Sequence, residues 1–181
     1  MPLEKLWQLF PIRLTGHQGY WTEWYKEEEE LLRRRLPDIR RINHIGSTAI
    51  EGIMAKPTVD ILAEMPKDAR LSDFKDAVEN CGYICMAESG DRIDFNKGYT
   101  LQGFAERVFH LHLRHIGDND ELYFRDFLTD NPAVAKEYER MKLDLWRRYE
   151  HDRDAYTHGK SDFIKHYTQK AKLLFADRYR Q

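Results

Sequence analysis

From His44 to Asp60 the chain reads His-Ile-Gly-Ser-Thr-Ala-Ile-Glu-Gly-Ile-Met-Ala-Lys-Pro-Thr-Val-Asp, with twelve residues between Ser47 and Asp60. Each residue type suits one task in holding a phosphate. A glycine at position 46 lets backbone N–H groups approach an anion closely. The Ser47 hydroxyl adds a hydrogen bond. A helix opening at that turn would aim its positive end at the anion. Lys56 would neutralise a phosphate charge. Asp60, on a neighbouring strand, would hold a Mg²⁺ that bridges phosphate oxygens.

Two later stretches alternate with the period of a strand. Across Val108 to His115, Phe109, Leu111 and Leu113 share one face and His110, His112 and Arg114 the other. Across Arg92 to Lys97, Ile93 and Phe95 share a face, with Arg92, Asp94 and Asn96 opposite. In Thr58 to Met65, Val59, Ile61 and Ala63 point one way and Asp60 the other. If the three strands are neighbours, Asp60, Asp94, His110 and His112 line one polar sheet face. Neutral imidazoles there suit Zn²⁺, Mn²⁺ or Fe²⁺ better than Mg²⁺, so a transition metal on Asp60, His110 and His112 is a second chemistry to test.

These residues need elements to position them. A helix containing Tyr20, Trp24, Leu31 and Leu32 on one stripe, with Glu27–Glu30 and Arg33–Arg35 on the solvated side, ends before Pro37. Arg41 to Ile45 reads as a strand running into Gly46, and Thr58 to Met65 as a strand closed by Pro66. Leu71 to Asn80 reads as a helix and Tyr83 to Met86 as a short apolar strand. Gly98 to Glu106 is expected to be a long hairpin loop. The last third is helical. Glu121 to Thr129 is one helix, and Asn131-Pro132 opens a second as N-cap and first helical residue. That second helix carries the stripe Val134, Tyr138, Met141, Leu145 and Trp146. A break over His151 to Gly159 leads to a final helix capped by Ser161, with Phe163, Ile164, Tyr167, Ala171, Leu174 and Phe175 as its stripe.

The Gly-Ser turn followed by a carboxylate-bearing strand resembles the nucleotidyltransferase superfamily. Four segments narrow the resemblance to the GrpB family. They are His44-Ile-Gly-Ser-Thr with Lys56-Pro57 and Asp60; His110-Leu-His112-Leu; Phe124-Arg125-Asp126-Phe127-Leu128; and Tyr138 to Lys142 with Tyr156-Thr157 and Lys160. Together they span Ile42 to Ala171 in the family's order. The resemblance implies an α/β or α+β fold: a nucleotidyltransferase-like mixed β-sheet with flanking helices and a C-terminal helical segment. It implies one GrpB-like domain over 1–181, with an α/β core at 17–118 and a helical tail at 119–181 packed on it. It implies His44, Gly46, Ser47, Thr48, Lys56, Arg92, Arg125 and Lys160 as phosphate or nucleotide contacts. With the strand alternation above, Asp60 and Asp94 are the candidate catalytic carboxylates, and Asp60, His110 and His112 the candidate metal ligands, with Mg²⁺ or Mn²⁺ as cofactor.

One position departs from the superfamily pattern. The first carboxylate is usually followed two residues later by a second on the same face of the strand. Here that residue is Leu62, and Glu64 lies roughly 13 Å along an extended strand. The metal site is depleted relative to the superfamily pattern, and the second carboxylate of the usual two-metal phosphoryl-transfer route is missing.

Composition bounds the rest. The chain has 181 residues and a formal net charge of −2, from 29 Lys and Arg against 31 Asp and Glu. No basic excess directs it to nucleic acid in general or to anionic lipid. Cys81 and Cys85 have no second pair for a zinc site and read as free thiols of a reducing compartment. The apolar stretch Leu6 to Leu14 is broken by Gln8, Pro11 and Arg13, so no signal peptide is expected and a cytoplasmic location is. Three functions follow: nucleotidyl transfer from a nucleotide to an unknown acceptor; a degenerate nucleotide-binding module, coenzyme A-related or regulatory; or a His/Asp metal-dependent hydrolase.

Overall fold

Alternating strands and one-sided helices sort this chain into a sheet with a covering on each face. The computed structural model describes residues 2, 5 and 8–180; Leu6, where the broken apolar stretch begins, lies outside them. The elements are α1 (Tyr20–Arg35), β1 (Arg41–Ile45), a 3₁₀ turn (Ser47–Ala49), β2 (Val59–Met65), a 3₁₀ turn (Leu71–Phe74) leading into α2 (Lys75–Glu79), β3 (Ile84–Glu88), β4 (Arg92–Thr100) and β5 (Gly103–His115). Four helices follow: α3 (Asp120–Asp130), α4 (Pro132–Tyr149), α5 (Arg153–Gly159) and α6 (Ser161–Leu174).

The five strands form a mixed sheet in the order β1-β2-β5-β4-β3. Only β2 and β5 are parallel; the other pairs are antiparallel. Period-two alternation then decides what each face carries. Val59, Ile61, Ala63, Ile93, Phe95, Phe109, Leu111 and Leu113 are buried on one face, against Trp21, Leu32 and Leu36 of the α1 segment and Leu71 and Val78. The other face carries Asp60, His110, His112 and Asp94, brought into rows by the register Asp60↔His110 and Leu62↔His112 across β2/β5, and Asp94↔His112 across β4/β5.

The helices α3, α4 and α6 make a separate apolar layer from Phe124, Phe127, Leu128, Tyr138 and Ala171, while Tyr156 of α5 packs with Ile12 and Leu145. Ile50 and Ile53, each 2% exposed, plug into that layer from the segment after the Gly46 turn. This anchoring holds the stretch between Ser47 and Asp60 in place without a helix of its own. Its burial removes apolar surface worth about 25 cal/mol per Å² from water.

Several expectations change. The long loop at Gly98 to Glu106 is instead a continuation of both strands, closed tightly between Thr100 and Gly103. The register shifts between Lys97 and Tyr99. Gly98, at φ 94°, permits this bulge, since a Cβ there would lie 2.3 Å from the Arg107 carbonyl oxygen. Bulges of this kind re-aim side chains, and this one brings the Tyr99 hydroxyl to His110. The break at His151 to Gly159 contains helix α5, capped by Asp152, whose carboxylate accepts from the Ala155 N–H at 3.0 Å. The N-cap position of α6 is Lys160, and Ser161 is its first helical residue. Asn131 precedes α4 as expected, but its amide donates back to the Phe127 carbonyl instead of capping α4. Leu174 is exposed and does not join the α6 stripe. Cys81 and Cys85 are free thiols. No helix among the described residues is long and apolar enough to cross a membrane.

Candidate functional site

A cavity of about 910 Å³ opens between the polar sheet face and the helical layer. The sheet side contributes Gly46, Ser47, Thr48, Lys56, Asp60, His110 and His112. The helical side contributes Tyr138 and Lys142 from α4, Arg153, Tyr156 and Thr157 from α5, and Lys160 from the α5–α6 junction. Typical small-molecule sites enclose roughly 300–1,000 Å³, so this one has room for a nucleotide.

Gly46 has φ 72° and ψ −173°, a region open essentially only to glycine. A Cβ there would lie 2.6 Å from Asp60 Oδ2, so the carboxylate packs directly against the turn. The expected helix after it is only the three-residue 3₁₀ turn Ser47–Ala49. The turn therefore offers backbone and hydroxyl groups to the cavity without the dipole of a longer helix. Thr48 is held beneath it. Its hydroxyl donates to the Thr58 carbonyl at 3.1 Å and pairs with His44 Nε2 at 2.8 Å.

Asp60 is 27% exposed. Its Oδ1 lies 3.3 Å from His110 Nδ1 and 3.6 Å from His112 Nε2. Burial raises its pKa, but the hydrogen bonds from both imidazoles outweigh this and leave the carboxyl well below the usual carboxylate range. His112 bridges two carboxylates, with Nδ1 2.9 Å from Asp94 Oδ1. Burial lowers its pKa, yet the bonds to Asp60 and Asp94 hold it up at about 9. Asp94 also accepts from Arg114 Nη2 at 2.9 Å and is lowered to about 2, the two partners overcoming partial burial. His110 Nε2 meets the Tyr99 hydroxyl at 2.7 Å, and Arg153 donates to the same hydroxyl at 3.1 Å.

The opposite wall is cationic. Lys142 is 2% exposed, and its ammonium donates to Ser47 Oγ at 2.9 Å and the Met54 carbonyl at 2.6 Å. Lys56 and Lys160 both lie over the Tyr156 ring, at 5.3 and 4.8 Å from its centroid. Neither ammonium has a hydrogen bond or ion pair with a protein group among the described residues. Burial, then repulsion from Lys160 and Arg153, lowers Lys56 to about 7. Burial, then Lys160, lowers Lys142 to about 7. Lys160 is lowered by burial, with Asp60 partly opposing. Tyr156 is fully buried, and its hydroxyl has no hydrogen-bond partner among the described residues.

Of the residues singled out in the sequence, Gly46, Ser47, Thr48, Lys56, Asp60, His110, His112 and Lys160 line this cavity. Four do not. His44 is behind the turn, stacked on Tyr25 with ring centroids 5.1 Å apart, and burial lowers it to about 4. Asp94 stands behind His112. Arg92 is on the surface in a bidentate pair with Asp118 at 2.6 and 2.7 Å. Arg125 donates to the His44 carbonyl at 2.9 Å and reaches the Tyr179 hydroxyl at 3.1 Å, tying α3 to β1. Sequence reasoning missed Lys142, Arg153, Tyr156 and Tyr99 as site residues. Lys142 had a signal: it falls four residues after Tyr138 and three before Leu145, a lysine within an apolar helical stripe.

Residues 11–170 match the family described as GrpB protein. The chain belongs to the GrpB family. It is 31% identical to the glutamate-rich protein GrpB of Alkalihalophilus pseudofirmus over 84% of this chain and 91% of that one. It is likewise 31% identical to the UPF0157 protein YqkA of Bacillus subtilis, over 94% of this chain, and spans about half (51%) of that protein's length. The crystal structure of GrpB from Enterococcus faecalis superposes with a TM-score of 0.76 at 28% identity, covering 88% of this chain and 96% of that one. The poly(U) polymerase Cid1, solved with Mg 3′-dATP bound, superposes with a TM-score of 0.55 at 9% identity over 87% of this chain and 51% of that one. This likeness shows a nucleotidyltransferase-like fold for the GrpB chain.

The GrpB side chains do not fit the expected Mg²⁺ or Mn²⁺ site. Mg²⁺ takes oxygen ligands at ~2.0–2.1 Å in near-octahedral array. Here Leu62 fills the second carboxylate's place, fully buried against Ile45 and Leu122. Glu64 is buried and engaged by the Gly117 N–H and the Asn119 amide, both at 2.9 Å. Asp94 is taken by His112 and Arg114. Among the described residues no group of three His, Cys, Asp or Glu could hold a metal ion, the Asp60, His110 and His112 set included.

Proposed function

We propose that this GrpB chain is a cytoplasmic protein that binds a phosphate-bearing small molecule, a nucleotide above all, in the cavity between sheet and helical layer. The observation that carries this reading is the pair of ammonium groups, Lys56 and Lys160, that face the cavity with no ion pair or hydrogen bond among the described residues, beside Lys142 on the Ser47 hydroxyl. Cations gathered in a partly buried site repel one another and lose hydration, and an anion relieves both. Phosphate oxygens would take the free donors of Lys56 and Lys160, the Ser47 turn and the orphaned Tyr156 hydroxyl. Tyr138, Phe124 and Ile164 would give the remainder of the ligand an apolar wall.

A binding module is favoured over nucleotidyl transfer and over metal-dependent hydrolysis, because the donor set is rich in cations and poor in free carboxylates. Titration calorimetry of the whole chain with ATP, in EDTA and again in Mg²⁺, tests it. Binding is expected, and Lys160→Met should weaken it about tenfold or more, the worth of a charged hydrogen bond of ~1.5–3 kcal/mol. Absence of binding to ATP, to pyrophosphate and to inorganic phosphate would reject the reading.

A further inference from the structure

We infer that the ligand's phosphate chain enters as the free polyanion, without a divalent cation, and that Lys56, Lys142, Arg153 and Lys160 neutralise it. The inference rests on the phosphate reading above and deepens it by naming the ionic form of the ligand.

Three observations carry it. The first is the state of Asp60. One of its oxygens faces His110 and His112, and the other packs against Gly46. A cation bridging this carboxylate to a phosphate would have to displace an imidazole from contact with it. The second is the origin of the positive charge. Lys142, Arg153 and Lys160 come from the helical layer, across the cavity from Asp60. Cations on the wall facing a single, already engaged carboxylate create the field that a bound Mg²⁺ would otherwise supply. Toward the mouth, charges of both signs alternate: Lys172 pairs with Asp120, and Glu121 and Lys165 also line the cavity. The net positive field is therefore confined to the inner part. The third is the Tyr156 hydroxyl, a buried polar atom with no hydrogen-bond partner among the described residues, on a cavity-lining ring over which Lys56 and Lys160 both lie. A phosphate oxygen would be its acceptor. Several cations in one inner pocket call for a ligand with several charges, so the class is a di- or triphosphate chain and not a monophosphate.

The experiment is calorimetry of the full chain with tripolyphosphate and with ATP, each in EDTA and again in excess MgCl₂, with inorganic phosphate as the single-charge comparison. The expected result is tight binding of both chains in EDTA, several-fold weaker binding in MgCl₂ because Mg²⁺ screens the chain, and far weaker binding of inorganic phosphate. Lys160→Met and Lys142→Met should each weaken binding in EDTA about tenfold or more, the charge-assisted bond again being worth ~1.5–3 kcal/mol, with circular-dichroism melts confirming that each variant folds. Binding seen only with Mg²⁺ would overturn this inference and leave the phosphate reading standing. Inorganic phosphate binding as tightly as tripolyphosphate would overturn the polyphosphate class. Silence in both buffers would remove the inference together with the reading beneath it.

Discussion

The Lys142 ammonium on α4 and the Ser47 hydroxyl on the glycine turn, 95 positions apart in the chain, meet at 2.9 Å. This contact closes the helical layer onto the sheet, and it does so with a buried charge.

That burial makes stability depend on pH. Lys142 is lowered to about 7 in the folded chain from 10.5, by burial first and Lys160 second, with Glu139 opposing. Between those values the unfolded chain binds more protons, so the unliganded protein gains stability as pH rises above 7. One fully titrating lysine contributes at most about 1.4 kcal/mol per pH unit. Lys142→Met should therefore be stabilising near pH 7 and should flatten the rise between pH 7 and 8.5. Urea unfolding across that range measures it. An unchanged slope in the variant would mean that Lys142 stays charged throughout.

Ligand binding should take up protons. Lys56 is lowered to about 7 by burial and by Lys160 and Arg153, while Asp60 partly opposes and Lys142 adds to the repulsion. A bound phosphate chain favours the charged ammonium and raises its pKa again. At pH 8 the uptake should be roughly one to two protons, one for each lysine shifted to near 7, and it should fade toward pH 6. Calorimetry in buffers of different ionisation enthalpy reads this directly. Heats independent of buffer at pH 8 would show that both lysines are already charged in the free protein.

Leu62 is structural where a metal-binding carboxylate would be expected. It is fully buried with Ile45 and Leu122, which joins β1 and β2 to α3. Leu62→Ala should lose about 2–5 kcal/mol, the usual range for a buried leucine. Leu62→Asp should be worse, since an ionised carboxylate would sit in the same apolar contact. Denaturant unfolding measures both. A well-folded Leu62→Asp protein that binds Mg²⁺ would show that the helix can yield and that the lost site is recoverable.

The site's sheet half could be read from sequence because period-two alternation alone places Asp60, His110 and His112 on one face, and the structure has them within 3.6 Å. Arg41 to Ile45 is legible to the residue because Gly46 punctuates its end. The helical half was legible only at Lys160, since nothing local says which face of α4 or α5 meets the Gly46 turn. Lys142, Arg153 and Tyr156 acquire their place only when Ile50 and Ile53 dock into the helical layer. Tyr99 was hidden for a different reason: a bulge at Gly98 reverses the alternation that would have assigned its face. Arg92 and Arg125 lie outside this cavity, because charge next to a motif does not distinguish a ligand contact from an ion pair or a tie between elements.

Gly46 and Asp60 are coupled tightly enough to be tested by one methyl group. Gly46→Ala would place a Cβ 2.6 Å from Asp60 Oδ2, at a φ of 72° that a side chain resists. The backbone strain alone is about 1–3 kcal/mol. Relief would come by turning the 46–47 bend or by pushing Asp60 away from His110 and His112, and either movement disturbs the cavity. The variant should lose about 1–3 kcal/mol in urea unfolding and should also weaken ATP binding. Gly16→Ala is the control, because a Cβ there meets nothing within 4 Å and its φ lies outside the glycine-favouring range; it should be close to neutral in both assays. If Gly46→Ala behaves like that control, the close approach of the turn to Asp60 does not exist in solution, and the phosphate reading loses its sheet-side wall.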